Sequence, residues 1–272
     1  PGRGVRDDTE LSLAGLQNKL LLVATERGWG RPVGGQPSTH ILKIDDQRFP
    51  GLVSAEAAAL RLARGLGLGD LDPQLHQIEG VDCLIVARYD RLRAADGTIG
   101  RVHQEDSCQA LGVMPDAHRG RGKYESSGGP TFAQIASLLR RYSADPGDEL
   151  DRLVRMIAFT MIIGNADGHG KNLSLLYPAP GMPTLAPLYD TVPTVLWPRL
   201  RTTAAMSVAG ETEFIRIGRD AITREAEGWG MPGERARSLA VDVVERALRA
   251  ASGLGHDQVG ELVTGRATQM LG

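Results

Sequence analysis

Residues 165–177 read NADGHGKNLSLLY, a polar loop broken by glycines that runs into a short apolar segment of strand character. The loop contains Asp167-Gly168-His169-Gly170-Lys171-Asn172, so a carboxylate and a carboxamide stand five positions apart just ahead of a strand. Phosphoryl transfer uses that combination: an aspartate orients an attacking hydroxyl and accepts its proton, and an asparagine oxygen holds Mg²⁺. Lys171 adds a cation able to steady a migrating phosphoryl group. The same residues also suit a plain loop closure, because an Asp-Gly turn followed by a cation often does no more than that.

Downstream, residues 184–190 read TLAPLYD, a second strand-like run ending in Asp190. A turn across residues 178–183 makes the two runs an antiparallel hairpin, which sets Asn172, at the start of one, beside Asp190, at the end of the other. One Asn and one Asp suffice for Mg²⁺ when nucleotide phosphates and water complete its shell. Taken alone, Asp190 also reads as a turn or cap residue before Thr191 and Pro193.

Upstream, Lys43 lies in the apolar run HILKI (residues 40–44), where an ammonium is costly unless paired. Glu56, on the next helical segment, is a candidate partner, and a Lys held by a helix Glu is how protein kinases grip the α- and β-phosphates. The competing arrangement is a solvated Lys43, with Arg61 reaching Glu56 across one helical turn. Earlier still, SLAGLQNK (residues 12–19) offers small residues through which backbone N–H groups approach a phosphate, although GxxxxGK[ST] occurs nowhere in the chain. Ser12, at its head, is a candidate phosphorylation site and equally an ordinary turn serine.

The surrounding pattern supplies the frame. Residues 11–25 and 40–44 contain two strands with a loop tip between. SAEAAALRLARGL (residues 54–66) is a helix with a serine ahead of it and Gly65 at its C-terminal end. Residues 82–89 (DCLIVARY) form a buried strand leading to Asp90 and Arg91. Residues 94–130 are rich in Gly, Asp and Ser and read mostly as loop, with one short helix at 104–111. Helices follow at 131–142 and 149–163, the second apolar on nearly all faces and ended by Gly164, and amphipathic helices at 234–251 and 256–271. The expected class is α+β: a strand-rich lobe over residues 1–90 carrying the nucleotide loop and hinge, a mainly helical lobe over 91–272 carrying the catalytic loops, and a cleft at the junction near 88–102.

Composition narrows the partners. The 272 residues can bury a sizeable core, and a net charge of -2 with a pI near 6.4 gives no general excess of positive charge for a nucleic-acid backbone. Cys83 and Cys108 have no metal-ligand spacing, so reduced thiols are expected. No run approaches the roughly 20 apolar residues of a membrane span, and the expected location is the cytoplasm. The chain begins at Pro1 rather than Met, so the sequence is expected to start inside a longer gene product or after processing.

Taken together, SLAGLQNK, PSTHILK, LIVARYDR, HQEDSCQALG, KYESSGGP, NADGHGKN and LAPLYD occur in the order found in the HipA family of bacterial toxin serine/threonine kinases, and the chain resembles that family over nearly its whole length. The resemblance implies a bilobal kinase-like fold using ATP and Mg²⁺. It implies a nucleotide site at Ser12, Ala14, Gly15, Leu16, Gln17, Asn18, Lys19 and Lys43. At the hinge, the backbones of Ala87 and Tyr89 would meet adenine, flanked by Arg88, with Asp90 near the ribose. Asp167 and Lys171 would be catalytic, His169 would lie against the nucleotide, and Asn172 and Asp190 would be the metal ligands. Ser12 matches the family's inhibitory autophosphorylated serine. The implied partners are a HipB-like DNA-binding antitoxin and a protein substrate such as an aminoacyl-tRNA synthetase. Full-length members carry an N-terminal subdomain unmatched here, as in a truncated member or a HipT-like short form whose subdomain is a separate protein. Ala87 stands where an acidic residue is common. A nucleotide-binding pseudokinase that holds an antitoxin or a partner subdomain is the alternative reading.

Overall fold

The computed structural model describes residues 18–26, 28–178 and 182–272. The first part is a five-stranded antiparallel sheet. In chain order it contains β1 (Lys19–Thr25), β2 (Gly28–Gly30), β3 (His40–Ile44), helix α1 (Leu52–Gly65), β4 (Gln74–Ile78) and β5 (Val81–Ala87), with spatial order β2-β1-β3-β5-β4. Side chains alternate across it. One face buries Leu42, Cys83 and Ile85; the other packs Leu84 and Val86 against Val53, Ala57 and Leu60 of α1.

Helix α1 is rich in alanine, so it can be approached closely from two sides. Its opposite face, with Ala55, Ala58, Ala59 and Leu62, enters the same core as the later helices. α1 is thereby shared between the sheet and the helical part, which fixes the position of Glu56 relative to both.

After β5 the chain makes a small hairpin, β6 (Arg91–Arg93) and β7 (Ile99–Arg101), then β8 (His103–Asp106) and two short helices, α2 (Ser107–Ala110) and α3 (Ala117–Gly120). The sequence reading placed a helix across 104–111. β8 takes part of that stretch because Glu105 and Asp106 pair with Leu175 and Ser174 of the later hairpin, and the helix starts only where Asp106 and Gln109 form a reciprocal cap. β4 was not anticipated either: all five of its residues are exposed on an edge, leaving no buried alternation to read.

The second part contains α4 (Phe132–Tyr142), α5 (Pro146–Ile162), the strands β9 (Ser174–Tyr177) and β10 (Thr184–Leu185), and α6 (Arg219–Gly228), α7 (Gly233–Ala250) and α8 (Asp257–Leu271). α5 is its axis. Asp145 caps its first turn by accepting from the Asp148 N–H at 3.0 Å, Pro146 stands at its first position, and Leu153, Val154, Ile157, Phe159 and Ile162 are buried around its circumference. α4, α6, α7 and α8 pack around it. The helix stops at Gly164 (φ 63°), where a Cβ would lie 2.4 Å from Val195 Cγ2, so only glycine fits both backbone and space. The chain turns there into the loop of residues 165–173. β9 pairs with both β8 and β10, so the anticipated hairpin forms as part of a three-stranded sheet. No helix among the described residues is long and apolar enough to cross a membrane.

Candidate active site

Lys19 and Lys43 are directly opposite each other on β1 and β3, so both side chains leave the same face of the sheet. Two like charges in that register repel. They are tolerated because two acids are aimed at them. Lys43 donates to Glu56 on α1 and to Asp190, and Lys19 donates to both oxygens of Asp190 at 2.9 Å. Lys43 is 4% exposed and Glu56 fully buried. Burial alone disfavours the Lys43 ammonium, but Asp190 and Glu56 outweigh it and hold Lys43 firmly protonated, above an ordinary lysine. Burial also works against ionised Asp190, and the two lysines reverse that, holding its carboxyl well below the usual range. For Glu56 burial prevails and pushes its carboxyl up despite Lys43, consistent with Oε2 having no hydrogen-bond partner among the described residues.

Asp190 itself sits in the left-handed region, at φ 52°. For a non-glycine residue this costs about 1–2 kcal/mol, and aspartate is among the few types that visit it. Such strain is typical of residues a fold holds for a purpose. Asn165 fixes it from the other side: its Nδ2 donates to the Asp190 carbonyl at 3.2 Å while its Oδ1 accepts the Asp167 N–H at 3.1 Å. The sequence reading passed over Asn165, although it opens the quoted loop.

The loop holds the remaining acid and amide. Asn172 Nδ2 stands 3.5 Å from Asp190 Oδ2, and its Oδ1 accepts the His169 N–H at 3.2 Å. Asp167 Oδ1 accepts the Tyr124 hydroxyl and lies 3.7 Å from His169 Nε2. His169 is buried, neither ring nitrogen has a hydrogen-bond partner among the described residues, and burial pulls its pKa down to about 4 against the attraction of Asp167, so it is neutral at ordinary pH. Lys171 pairs with Asp106 at 2.7 Å, and its carbonyl accepts the Tyr189 hydroxyl.

Beside the lysine–acid cluster is a cavity of about 110 Å³ walled by Ile41, Leu60, Leu71, Val86, Tyr89 and Tyr189, with Lys19, Lys43 and Asp190 at its polar end. One wall is the end of β5. Arg88 donates its N–H to the Thr39 carbonyl, so the paired groups of β5 facing β3 belong to even-numbered residues. The N–H and C=O of Ala87 therefore point away from β3, toward the side where β4 pairs no further than Gln74 with Ile85. A flat heteroaromatic ring entering the cavity would meet apolar side chains on its faces and free backbone groups on its edge. Asp90 is buried in ion pairs with Arg88 (2.8 Å) and Arg91 (2.7 Å), whose guanidinium groups overcome its burial and hold its carboxyl below the ordinary range.

The structure thus brings Lys19, Lys43, Ala87, Arg88, Tyr89, Asp90 and Asp190 to one cavity, and Asp167, His169, Lys171 and Asn172 to the loop beside it. Asn18 is exposed, its carbonyl accepting the Ile44 N–H at 3.1 Å. Ser12, Ala14, Gly15, Leu16 and Gln17 lie outside the described residues. Among the described residues, no group of three or more His, Cys, Asp or Glu side chains forms a protein-only metal cage. What the site holds instead is an Asp carboxylate and an Asn amide side by side with two ammonium groups, a donor set that would suit Mg²⁺ if phosphates and water completed its shell.

Comparison with known proteins places the chain in a family. Residues 11–251 match the family described as the HipA-like C-terminal domain. A protein named "Putative kinase Y4mE" from Sinorhizobium fredii is 40% identical over 275 residues, covering 96% of this chain and 64% of its own. The "Serine/threonine-protein kinase toxin HipA" of Shewanella oneidensis is 30% identical over 247 residues, covering 88% of this chain and 55% of its own. The solved structure of Shewanella oneidensis HipA, in a complex with HipB and operator DNA, superposes with a TM-score of 0.80 at 26% identity, covering all of this chain and 66% of that one. The chain spans between 55% and 66% of the length of these relatives.

Proposed function

The chain belongs to the HipA-like C-terminal domain family, and from that premise we propose that it is a protein kinase that uses ATP and Mg²⁺ to phosphorylate a serine or threonine hydroxyl. The observation that carries this reading is Lys43 held between Glu56 and Asp190, with Asp167 and Asn172 on the loop alongside. A buried ammonium fixed by a helix glutamate and aimed at an acid is a phosphate grip. Lys19 doubles it. Adenine fits the apolar cavity, edge-on to the Ala87 backbone. Asn172 and Asp190 would hold Mg²⁺, which when bound neutralises charge on the phosphate oxygens. Asp167 orients the acceptor hydroxyl and takes its proton. Lys171, already committed to Asp106, reaches the phosphoryl group only by giving up that ion pair.

The name of the Shewanella oneidensis relative supports a toxin role, and its solved complex supports a HipB-like antitoxin as partner. Within that reading the substrate is a translation protein such as an aminoacyl-tRNA synthetase, Ser12 is a self-phosphorylation site, and the additional length of the relatives corresponds to a subdomain encoded with or apart from this chain. Incubation with labelled ATP and Mg²⁺ should label the chain or a synthetase. Asp167→Asn should abolish transfer while nucleotide binding by calorimetry is retained. Undiminished labelling by that variant refutes the assignment, and nucleotide binding without turnover by the unaltered chain favours a pseudokinase.

A further inference from the structure

The segment KYESSGGP (residues 123–130) is constructed with more care than a surface loop needs. At Gly129 a Cβ would lie 2.7 Å from the carbonyl carbons of Lys123 and Tyr124, and at Gly122 2.1 Å from the Met114 oxygen, so neither position admits a side chain. Glu125 ties the segment down by accepting from the Ser207 N–H (2.6 Å) and hydroxyl (2.7 Å). Its other edge is fastened to the catalytic loop: the Gly170 N–H donates to the Lys123 carbonyl at 3.2 Å, and a Cβ on Gly170 would lie 2.5 Å from Pro130 Cγ. What this framework presents is Tyr124. Its ring stacks edge-on against His169 at 5.2 Å, with Lys123 and Arg201 cations 5.2 and 5.3 Å from its centroid, and its hydroxyl donates to Asp167 Oδ1.

Asp167 has two carboxylate oxygens. Oδ1 is taken by Tyr124 and faced by His169, while among the described residues no donor reaches Oδ2. A hydrogen bond at one oxygen restricts rotation of the carboxylate, and the other oxygen is left without a donor among the described residues on a side chain that is 31% exposed. We infer that Tyr124 is a positioning residue that fixes the Asp167 carboxylate so that Oδ2 alone receives the acceptor hydroxyl, an inference that rests on the kinase reading of Asp167. Tyr124 stays protonated in this role, since burial and then the charge of Asp167 push its hydroxyl well above an ordinary tyrosine.

Tyr124→Phe keeps the ring and its stacking and removes only the hydroxyl. Single-turnover self-labelling with γ-labelled ATP should show a maximal rate lowered about ten- to a hundredfold, as expected for a base losing orientation, with the ATP concentration for half-maximal rate unchanged. Crystal structures of both proteins, resolved well enough to separate carboxylate rotamers, should show one Asp167 conformer in the unaltered protein and several in the variant. An unchanged or faster maximal rate, or a slower rate with Asp167 unmoved, overturns the inference. If the unaltered protein transfers no phosphoryl group, the kinase reading fails by itself. The crystallographic comparison then decides the positioning role, which is overturned by a single shared conformer and upheld by dispersal.

Discussion

Replacing Lys43 with methionine removes one charge from a buried four-membered cluster, and the structure says which partner suffers. Asp190 keeps Lys19 at 2.9 Å on both oxygens. Glu56 keeps no direct partner among the described residues: it is fully buried, Lys43 is the one cation there that bonds to it, Lys19 attracts it only through space, and Oε2 is already without a partner. Orphaning a buried charge by deleting its partner costs about 3–5 kcal/mol. Because only one of the two acids is orphaned, and Glu56 can escape by taking up a proton, the expected loss at pH 7.5 is near the lower end, about 3 kcal/mol. That is roughly 6–12 °C in Tm for a chain of this size. The sign with pH follows from the burial that raises the Glu56 carboxyl. A carboxyl harder to ionise when folded stabilises the fold below its unfolded pKa and loses that contribution as pH rises through the folded value. The deficit of Lys43→Met should therefore shrink as pH falls toward 5. Combining it with Glu56→Gln, which removes the orphaned charge, should recover more than half of the loss. Denaturant unfolding of the unaltered protein, both single variants and the double variant at pH 5 and 7.5 measures all of this. A loss below about 1 kcal/mol for Lys43→Met, or a double variant no more stable than the single, refutes the idea that Glu56 depends on Lys43.

Lys19→Met should be milder for stability, because Lys43 remains on Asp190, yet should weaken ATP binding about tenfold, or about 1.4 kcal/mol; calorimetry showing unchanged affinity removes Lys19 from the phosphate site. Gly164→Ala should cost about 2–4 kcal/mol by adding overlap with Val195 to the backbone penalty. Gly67→Ala, at φ 74° with nothing within 4 Å, should cost only the backbone share; equal losses in unfolding experiments contradict the overlap. His169 is held neutral, with a folded pKa near 4 against an ordinary value of 6.5. Its contribution is complete above about pH 6.5 and lost as pH falls toward 4, by about 1.4 kcal/mol per pH unit. His169→Phe should flatten the stability profile in that window, and an unflattened profile shows that burial of His169 is not the cause.

The helices were legible because their signals are local. An alanine-rich period marks α1, and an all-round apolar run with Gly164 behind it marks α5 and its end. Asp167, Asn172 and Asp190 were legible as an ordered set because loop, strand, turn and strand follow one another along the chain, and antiparallel pairing closes the distance. β4 and the start of β8 were not, since an exposed edge and a pairing with β9 leave no periodic trace in their own residues. Asp106 with Gln109 was a readable cap that would have set the start of the helix there.

The residue types, their order and the family were thus set by the sequence, because capping, turn chemistry and hydrophobic period act over a few residues. Only the tertiary structure decided whom each charge faces. Nothing local says that Lys19 is opposite Lys43, that both meet Asp190, that Glu56 turns to the sheet and not to Arg61, or that Tyr124 reaches Asp167. Those contacts depend on the register of β1 on β3, on α1 being shared between two cores, and on a glycine-tight segment seated against the catalytic loop. Electrostatic pairing acts through space, and space is what packing creates.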